Sequence, residues 1–116
     1  MRKSVADAPV QKVLRVIHAR FREELDFHAL AREHGISYSS LRRAVKTCTG
    51  LPPQHYLNRV RITRAKELLC DSGRPIKQVA EEVGIENPYY FSTRFRQYEE
   101  MSPRQFRLSL KPFDSE

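Results

Sequence analysis

Arg42, Arg43 and Lys46 stand among apolar residues at helical spacing. The same mixture recurs in VGIENPYYFSTRFRQYEEMSPRQFR, residues 83–107, where Arg94 and Arg96 alternate with aromatic side chains. Leu41, Val45 and Cys48 fall at i, i+4 and i+7, as do Phe91, Phe95 and Tyr98, so each set marks the inward face of a helix. Ser39, Ser40, Arg42, Arg43 and Lys46 then lie outside the first set, and Tyr89, Ser92, Thr93 and Arg96 outside the second. The chemistry open to these outward residues is recognition. A guanidinium is a planar fork of donors that suits two adjacent acceptors, such as O6 and N7 of guanine; a serine or threonine hydroxyl can meet either kind of base, and a thymine methyl can pack on Thr93. Lys46 and Arg96 occupy matching positions one turn further along and suit phosphate, which adds affinity and salt dependence without sequence information.

Catalysis finds little support. The chain has no glycine-rich phosphate loop and no combination of side chains that reads as a triad. His18, His28, His34 and His55 show no HxxxH or HExxH spacing, and Cys48 and Cys70 form no CxxC. No metal, cofactor or catalytic residue is expected, and the two cysteines read as reduced, semi-buried thiols. His34, directly before a glycine, reads as a helix-end residue. Lysine plus arginine number 21 against 14 acidic residues, a net charge of +7, which suggests a polyanionic partner: nucleic acid or an anionic membrane surface. No apolar run approaches the roughly 18 residues of a membrane span, and no apolar stretch follows the basic start Met1-Arg2-Lys3-Ser4, so no membrane role is expected.

The elements that must position these side chains are helical. Val10, Val13, Leu14, Ile17 and Phe21 form one face of a first helix. Gly35, Gly50, Gly73 and Gly84 each follow a helical run, where a left-handed residue commonly ends a helix. Pro9, Pro53, Pro75, Pro88 and Pro103 each stand at or near a helix start, where a missing N–H costs nothing, and Ser102 is placed to cap the last one. These marks predict seven helices, at 9–22, 26–34, 37–48, 53–72, 75–83, 87–98 and 103–109, with loose ends at 1–8 and 111–116.

The pattern occurs twice. LAREHGISYSSLRRAVKTCTGLPPQHY aligns with VAEEVGIENPYYFSTRFRQYEEMSPRQF once a residue is inserted after Gly-Ile. Ala31 matches Ala80, Gly35 matches Gly84, Leu41 and Val45 match Phe91 and Phe95, and Pro53 matches Pro103. In each copy a small residue allows a second helix to cross closely, a glycine allows the sharp turn, and the second helix buries one face. This is a helix-turn-helix. The helix between the copies has an apolar arc much wider than a surface stripe, so it is expected to be buried on two sides, packing against both subdomains. Arg61 falls inside that arc and is expected to form a structural salt bridge.

The segments LAREHGISYSSLRRAVK, TGLPPQHYLNRVRITRAKELL, IKQVAEEVGIENPYYFSTRFR and MSPRQFR resemble the DNA-binding region of the AraC/XylS family of bacterial transcription regulators, over about residues 9–108. The resemblance implies an all-α, homeodomain-like domain. A first helix-turn-helix subdomain (9–52) and a second (73–110) are joined by a long central helix (53–72). It implies double-stranded DNA as partner, with two recognition helices entering successive major-groove segments about 34 Å apart. It implies transcription regulation, commonly activation through contact with RNA polymerase, in the bacterial cytoplasm at the nucleoid. Ser39, Arg42 and Arg43 then occupy base-reading positions, with Tyr89, Ser92 and Thr93 as their counterparts on the second helix, and Lys46 and Arg96 meet phosphate. The alternative for each is plain solvated helix surface. Two residues depart from the family: Glu100 stands where glycine is common, which suggests a different helix end, and Thr93 stands where arginine is frequent.

Most family members carry a separate effector-binding or dimerisation domain, usually N-terminal. MRKSVADAP reads either as the start of a short stand-alone regulator, a kind the family also contains, or as a linker remnant; the second is expected, a C-terminal part of a longer regulator, monomeric by itself and able to dimerise through that other domain. The rival to sequence-specific binding is a basic helical module that binds DNA architecturally or docks to protein. Two recognition helices argue against it, since together they are a device for reading a site.

Overall fold

The computed structural model describes residues 8–110. The segments 1–7 and 111–116, read above as loose ends, lie outside the described residues. Seven helices and no strand occur among the described residues: α1 (Pro9–Ala19), α2 (Phe27–Glu33), α3 (Tyr38–Thr49), α4 (Pro53–Leu69), α5 (Ile76–Glu82), α6 (Pro88–Glu99) and α7 (Pro103–Ser109).

Local chemistry sets the starts. Pro9, Pro53, Pro88 and Pro103 are the first residues of their helices, and Pro75 directly precedes α5. Asp26 Oδ1 accepts the Ala29 N–H at 3.1 Å, and Ser37 Oγ accepts the Ser40 N–H at 3.1 Å. Asn87 Oδ1 accepts from both Tyr89 and Tyr90. Ser102 and Gln105 form a reciprocal capping box: Ser102 Oγ accepts the Gln105 N–H, and Gln105 Oε1 accepts the Ser102 N–H.

The stops differ from expectation in three places. α1 ends at Ala19 rather than near 22, because a turn follows in which the Glu23 N–H bonds the Arg20 carbonyl and the Arg20 guanidinium bonds the Glu23 carboxylate. Phe21 is still buried but reaches the core from that turn. α4 ends at Leu69 rather than 72, because Cys70 and Asp71 shift to tighter bonds with carbonyls three residues back. Gly35, Gly50 and Gly84 take positive φ, but Gly73 does not; its N–H is held by Asp71 Oδ1 at 3.1 Å.

Glu100 corrects another expectation. It does not change how the helix ends. It adopts the left-handed conformation itself, with φ 64°, and its N–H bonds the Arg96 carbonyl at 2.7 Å just as Gly50 bonds Lys46 at 2.8 Å. A non-glycine residue in that region costs about 1–2 kcal/mol, of which glycine's extra freedom in the unfolded chain offsets about 0.5–1. Glu100→Gly is therefore expected to stabilise the protein by roughly 0.5–1 kcal/mol, seen as a higher urea midpoint at constant slope. An unchanged or lower midpoint would contradict this account of the helix end.

The chain divides into two compact units within α4, between Val60 and Arg61. In the first unit, α3 packs on α1 and α2, and Val13, Ile17, Leu41, Val45 and Leu57 are fully buried. His18 Nε2 meets the Tyr56 hydroxyl at 2.7 Å, and partial burial pushes the Tyr56 phenol above its ordinary range. In the second unit, α6 packs on α5 and α7. Phe95 lies between Phe91 and Phe106, with centroids 5.9 and 5.6 Å away. Arg107 of α7 donates through Nε and Nη2 to the carbonyls of Leu69 and Asp71, satisfying acceptors left open at the end of α4. Lys66 pairs with Glu99 at 3.0 Å and sits over the Phe106 ring.

Arg61 is buried, as its place on the helical wheel requires. The cysteines are not semi-buried: both Cys48 and Cys70 are exposed. The inward row of α3 runs through Leu41, Val45 and the half-buried Thr49, four residues apart, in place of Cys48. The Thr49 hydroxyl is taken up by the turn, bonding the Val45 carbonyl and accepting the Leu51 N–H. Tyr98 is only half-buried.

Candidate nucleic-acid interface

Each unit contains the same turn. In the first, Ala31 is buried, Gly35 is left-handed, and the Ile36 N–H returns to the Ala31 carbonyl at 3.0 Å. In the second, Ala80 is buried, Gly84 is left-handed, and the Ile85 N–H returns to the Ala80 carbonyl at 2.9 Å. This six-to-one closure is the Schellman end of a helix, which uses a left-handed residue to redirect the chain at once. It sets α3 behind α2 and α6 behind α5, with Ile36 and Ile85 following the turn at matching positions.

On α3, Ser39, Arg42, Arg43 and Lys46 are all exposed. Together with Thr47 they line one open concavity, so the structure brings the four predicted residues of this helix to one place. Thr47 was not singled out from the sequence; its position four residues after Arg43 is the signal that could have found it. The side chains of Arg42, Arg43 and Lys46 make no hydrogen bond or ion pair among the described residues, which leaves their donors to solvent or to a ligand. Ser37 Oγ donates to Ser40 Oγ at 3.1 Å, so Ser40 serves the start of the helix.

On α6, Tyr89, Thr93 and Arg96 are exposed, Tyr89 at 81% of its surface, while Ser92 is half-buried. The Thr93 hydroxyl donates to the Tyr89 carbonyl one turn back, at 3.1 Å. Tyr90, Arg94 and Gln97 form a separate row along the flank. The Arg94 guanidinium lies 4.6 Å from the Tyr90 ring centroid, and its Nη1 donates to Gln97 Oε1 at 2.7 Å. Tyr90 is exposed, outside the buried aromatic face with which it shares the stretch.

The basic charge is unevenly divided. Residues 1–60 hold 11 of the 21 lysines and arginines and five of the 14 acidic residues, a net +6. Residues 61–116 hold the other ten and the other nine, a net +1. Several cations of the second unit are also engaged within it, as with Lys66, Arg74 and Arg107.

Among the described residues no cluster of three or more histidine, cysteine or acidic side chains could hold a metal ion. His34 ends α2, with Nδ1 2.8 Å from the Leu30 carbonyl, and His28 stacks on Tyr38. No helix among the described residues is long and apolar enough to cross a membrane.

The comparisons with known proteins converge on one family. A helix-turn-helix domain model matches residues 30–109. The HTH-type transcriptional activator RhaS of Salmonella schwarzengrund (strain CVM19633) is 36% identical over 101 residues, which cover 87% of this chain and 36% of that protein. The chain thus spans about a third of the length of the curated relatives it matches. Among solved structures, the C-terminal domain of AraT, a response regulator from Geobacillus stearothermophilus, is 29% identical with a TM-score of 0.83, covering 97% of this chain and 94% of that one. The DNA-binding domain of AdpA, a global transcriptional factor solved in complex with a target DNA, is 25% identical with a TM-score of 0.79, covering 89% and 93%.

Proposed function

Because the chain belongs to the AraC/XylS family of helix-turn-helix transcription regulators, we propose that it reads double-stranded DNA in the major groove through α3 and α6. Its class is that of a DNA-binding domain of transcription regulators, which is not an enzyme class. The observation that carries the reading is the face of α3: three cationic side chains in one open concavity with no internal partner among the described residues. Unpaired cations gathered on one helix repel one another and are best accounted for by an anion that meets them.

Arg42 and Arg43 supply guanidinium forks for guanine, and Ser39 a hydroxyl for a neighbouring base. Tyr89, Ser92 and Thr93 read the second half-site. Lys46 and Arg96 hold phosphates and set the register. By family, the protein acts at the nucleoid in the bacterial cytoplasm, most often as an activator that meets RNA polymerase beside the promoter. The relative RhaS is named as an activator. In most family members dimerisation and effector response belong to a separate domain, and the described domain binds DNA as a monomer.

The salt dependence of duplex binding tests the phosphate assignments. Each phosphate contact contributes a slope of about 0.9 in log K against log salt. Lys46→Ala is expected to weaken binding to selected and random duplexes alike and to flatten the slope by about one unit, measured by fluorescence anisotropy at several salt concentrations. An unchanged slope, or a loss confined to one sequence, would count against the phosphate role.

A further inference from the structure

We propose that α6 recognises thymine by its C5-methyl group, through an apolar patch formed by Tyr89 and Thr93, so that the two half-sites are read by different chemistries. The proposal rests on DNA binding by the α6 face, as argued above, and adds the base that this face takes.

Four observations lead to it. Tyr89, at 81%, is the most exposed of the large hydrophobic side chains among the described residues, in a protein that buries Phe91 and Phe95 on the same helix completely. Thr93 stands one turn after Tyr89, and its hydroxyl proton is committed to the Tyr89 carbonyl at 3.1 Å. What Thr93 keeps for a ligand is its methyl group and an oxygen lone pair. Ser92, the other hydroxyl on this face, is half-buried. Arg94, a guanidinium that could have read guanine from α6, is stacked on Tyr90 and bonded to Gln97 along the flank.

The face therefore offers a ring and a methyl group, with Arg96 one turn beyond Ser92 for the backbone. In the major groove adenine, guanine and cytosine present polar edges, whereas thymine alone adds an apolar group. The charge division points the same way. The second unit carries a net +1 against +6 for the first, so its hold on a duplex has to come from contact more than from counterion release.

The test uses duplexes selected by the full chain from a random library. The half-site whose preference survives Arg43→Ala is assigned to α6, and its thymines are replaced by uracil one at a time. Uracil keeps every donor and acceptor and lacks only the methyl. Loss of one contacted methyl is expected to weaken binding about fourfold. Thr93→Val is expected to retain the preference for thymine over uracil, and Thr93→Ser, which lacks the methyl, to lose it at that base. Uracil duplexes that bind as well as thymine duplexes overturn the proposal, as does a single selected half-site that vanishes with Arg43→Ala. Selection of no sequence at all overturns the DNA-reading function itself, and the proposal with it.

Discussion

Phe95→Ala is expected to destabilise the second unit by about 3–5 kcal/mol. Phe95 is fully buried, and its ring meets Phe91 from the same helix and Phe106 from α7. Truncation leaves a cavity that α6 and α7 can close only by moving together, and each already has a capped start that resists this. A small unit has little reserve: domains hold about 0.05–0.15 kcal/mol per residue, so a loss of this size consumes most of what 56 residues supply. Urea denaturation followed by far-UV circular dichroism should show an earlier transition, and amide signals of α5, α6 and α7 should lose dispersion before those of α1, α2 and α3. The matching position in the first unit is Val45, whose smaller side chain should make its truncation cost less. A Phe95→Ala protein within about 1 kcal/mol of the parent would show that this aromatic cluster is not what holds α6 in place.

The second large effect is on binding. Arg43→Ala is expected to cost about 1–3 kcal/mol on the selected site, or roughly 5- to 150-fold in affinity, the value of a bidentate arginine–guanine pair. Preference at one or two base pairs should relax, while binding to random DNA falls far less. The substitution is expected to leave folding intact, since the Arg43 side chain is exposed and makes no hydrogen bond or ion pair among the described residues. Competition assays with single-base variants of the selected duplex measure both quantities. Lys46→Ala is the comparison: it should lower affinity for every duplex to a similar degree. Equal losses on selected and random DNA for both variants would remove the distinction between a base-reading and a phosphate-holding side chain.

Much of this was legible in the sequence because its punctuation is chemical. Proline can open a helix and glycine can end one by entering the left-handed region, so Pro53, Pro88, Pro103, Gly35, Gly50 and Gly84 mark boundaries that the structure reproduces closely. The inward rows were legible for the same reason, since Leu41, Val45, Phe91 and Phe95 repeat at helical spacing and all four are fully buried. Gly73 misled because an aspartate two residues earlier forms the turn through its side chain, a bond that spacing does not reveal. Glu100 misled because the left-handed conformation is costly for a glutamate but not forbidden, and its N–H still closes the helix on the Arg96 carbonyl.

Cys48 and Thr49 could not be separated by periodicity, as i+7 and i+8 flank the Leu41–Val45 row on opposite sides, so either can continue it. The face of α6 was the least legible part. Threonine can donate to a base or to its own helix, and only the position of the Thr93 hydroxyl beside the Tyr89 carbonyl decides between them. Arginine can face a ligand or lie along its own helix, and only the stacking on Tyr90 places Arg94 on the flank. The outward placement of Arg42, Arg43 and Lys46 on α3 was easier to read, because their side chains make no such local bonds among the described residues and their direction follows from the buried row alone.

The proposed function requires that this domain read a DNA sequence with two helices. The most direct test is selection from a random duplex library with the purified protein, followed by affinity measurements on the enriched sequences at two salt concentrations. Two short motifs centred about 10 bp apart are expected, one containing guanine that depends on Arg43 and one containing thymine that depends on Thr93. Enrichment no greater than background, with equal affinity for enriched and scrambled duplexes, would contradict it and leave a basic helical module without sequence preference.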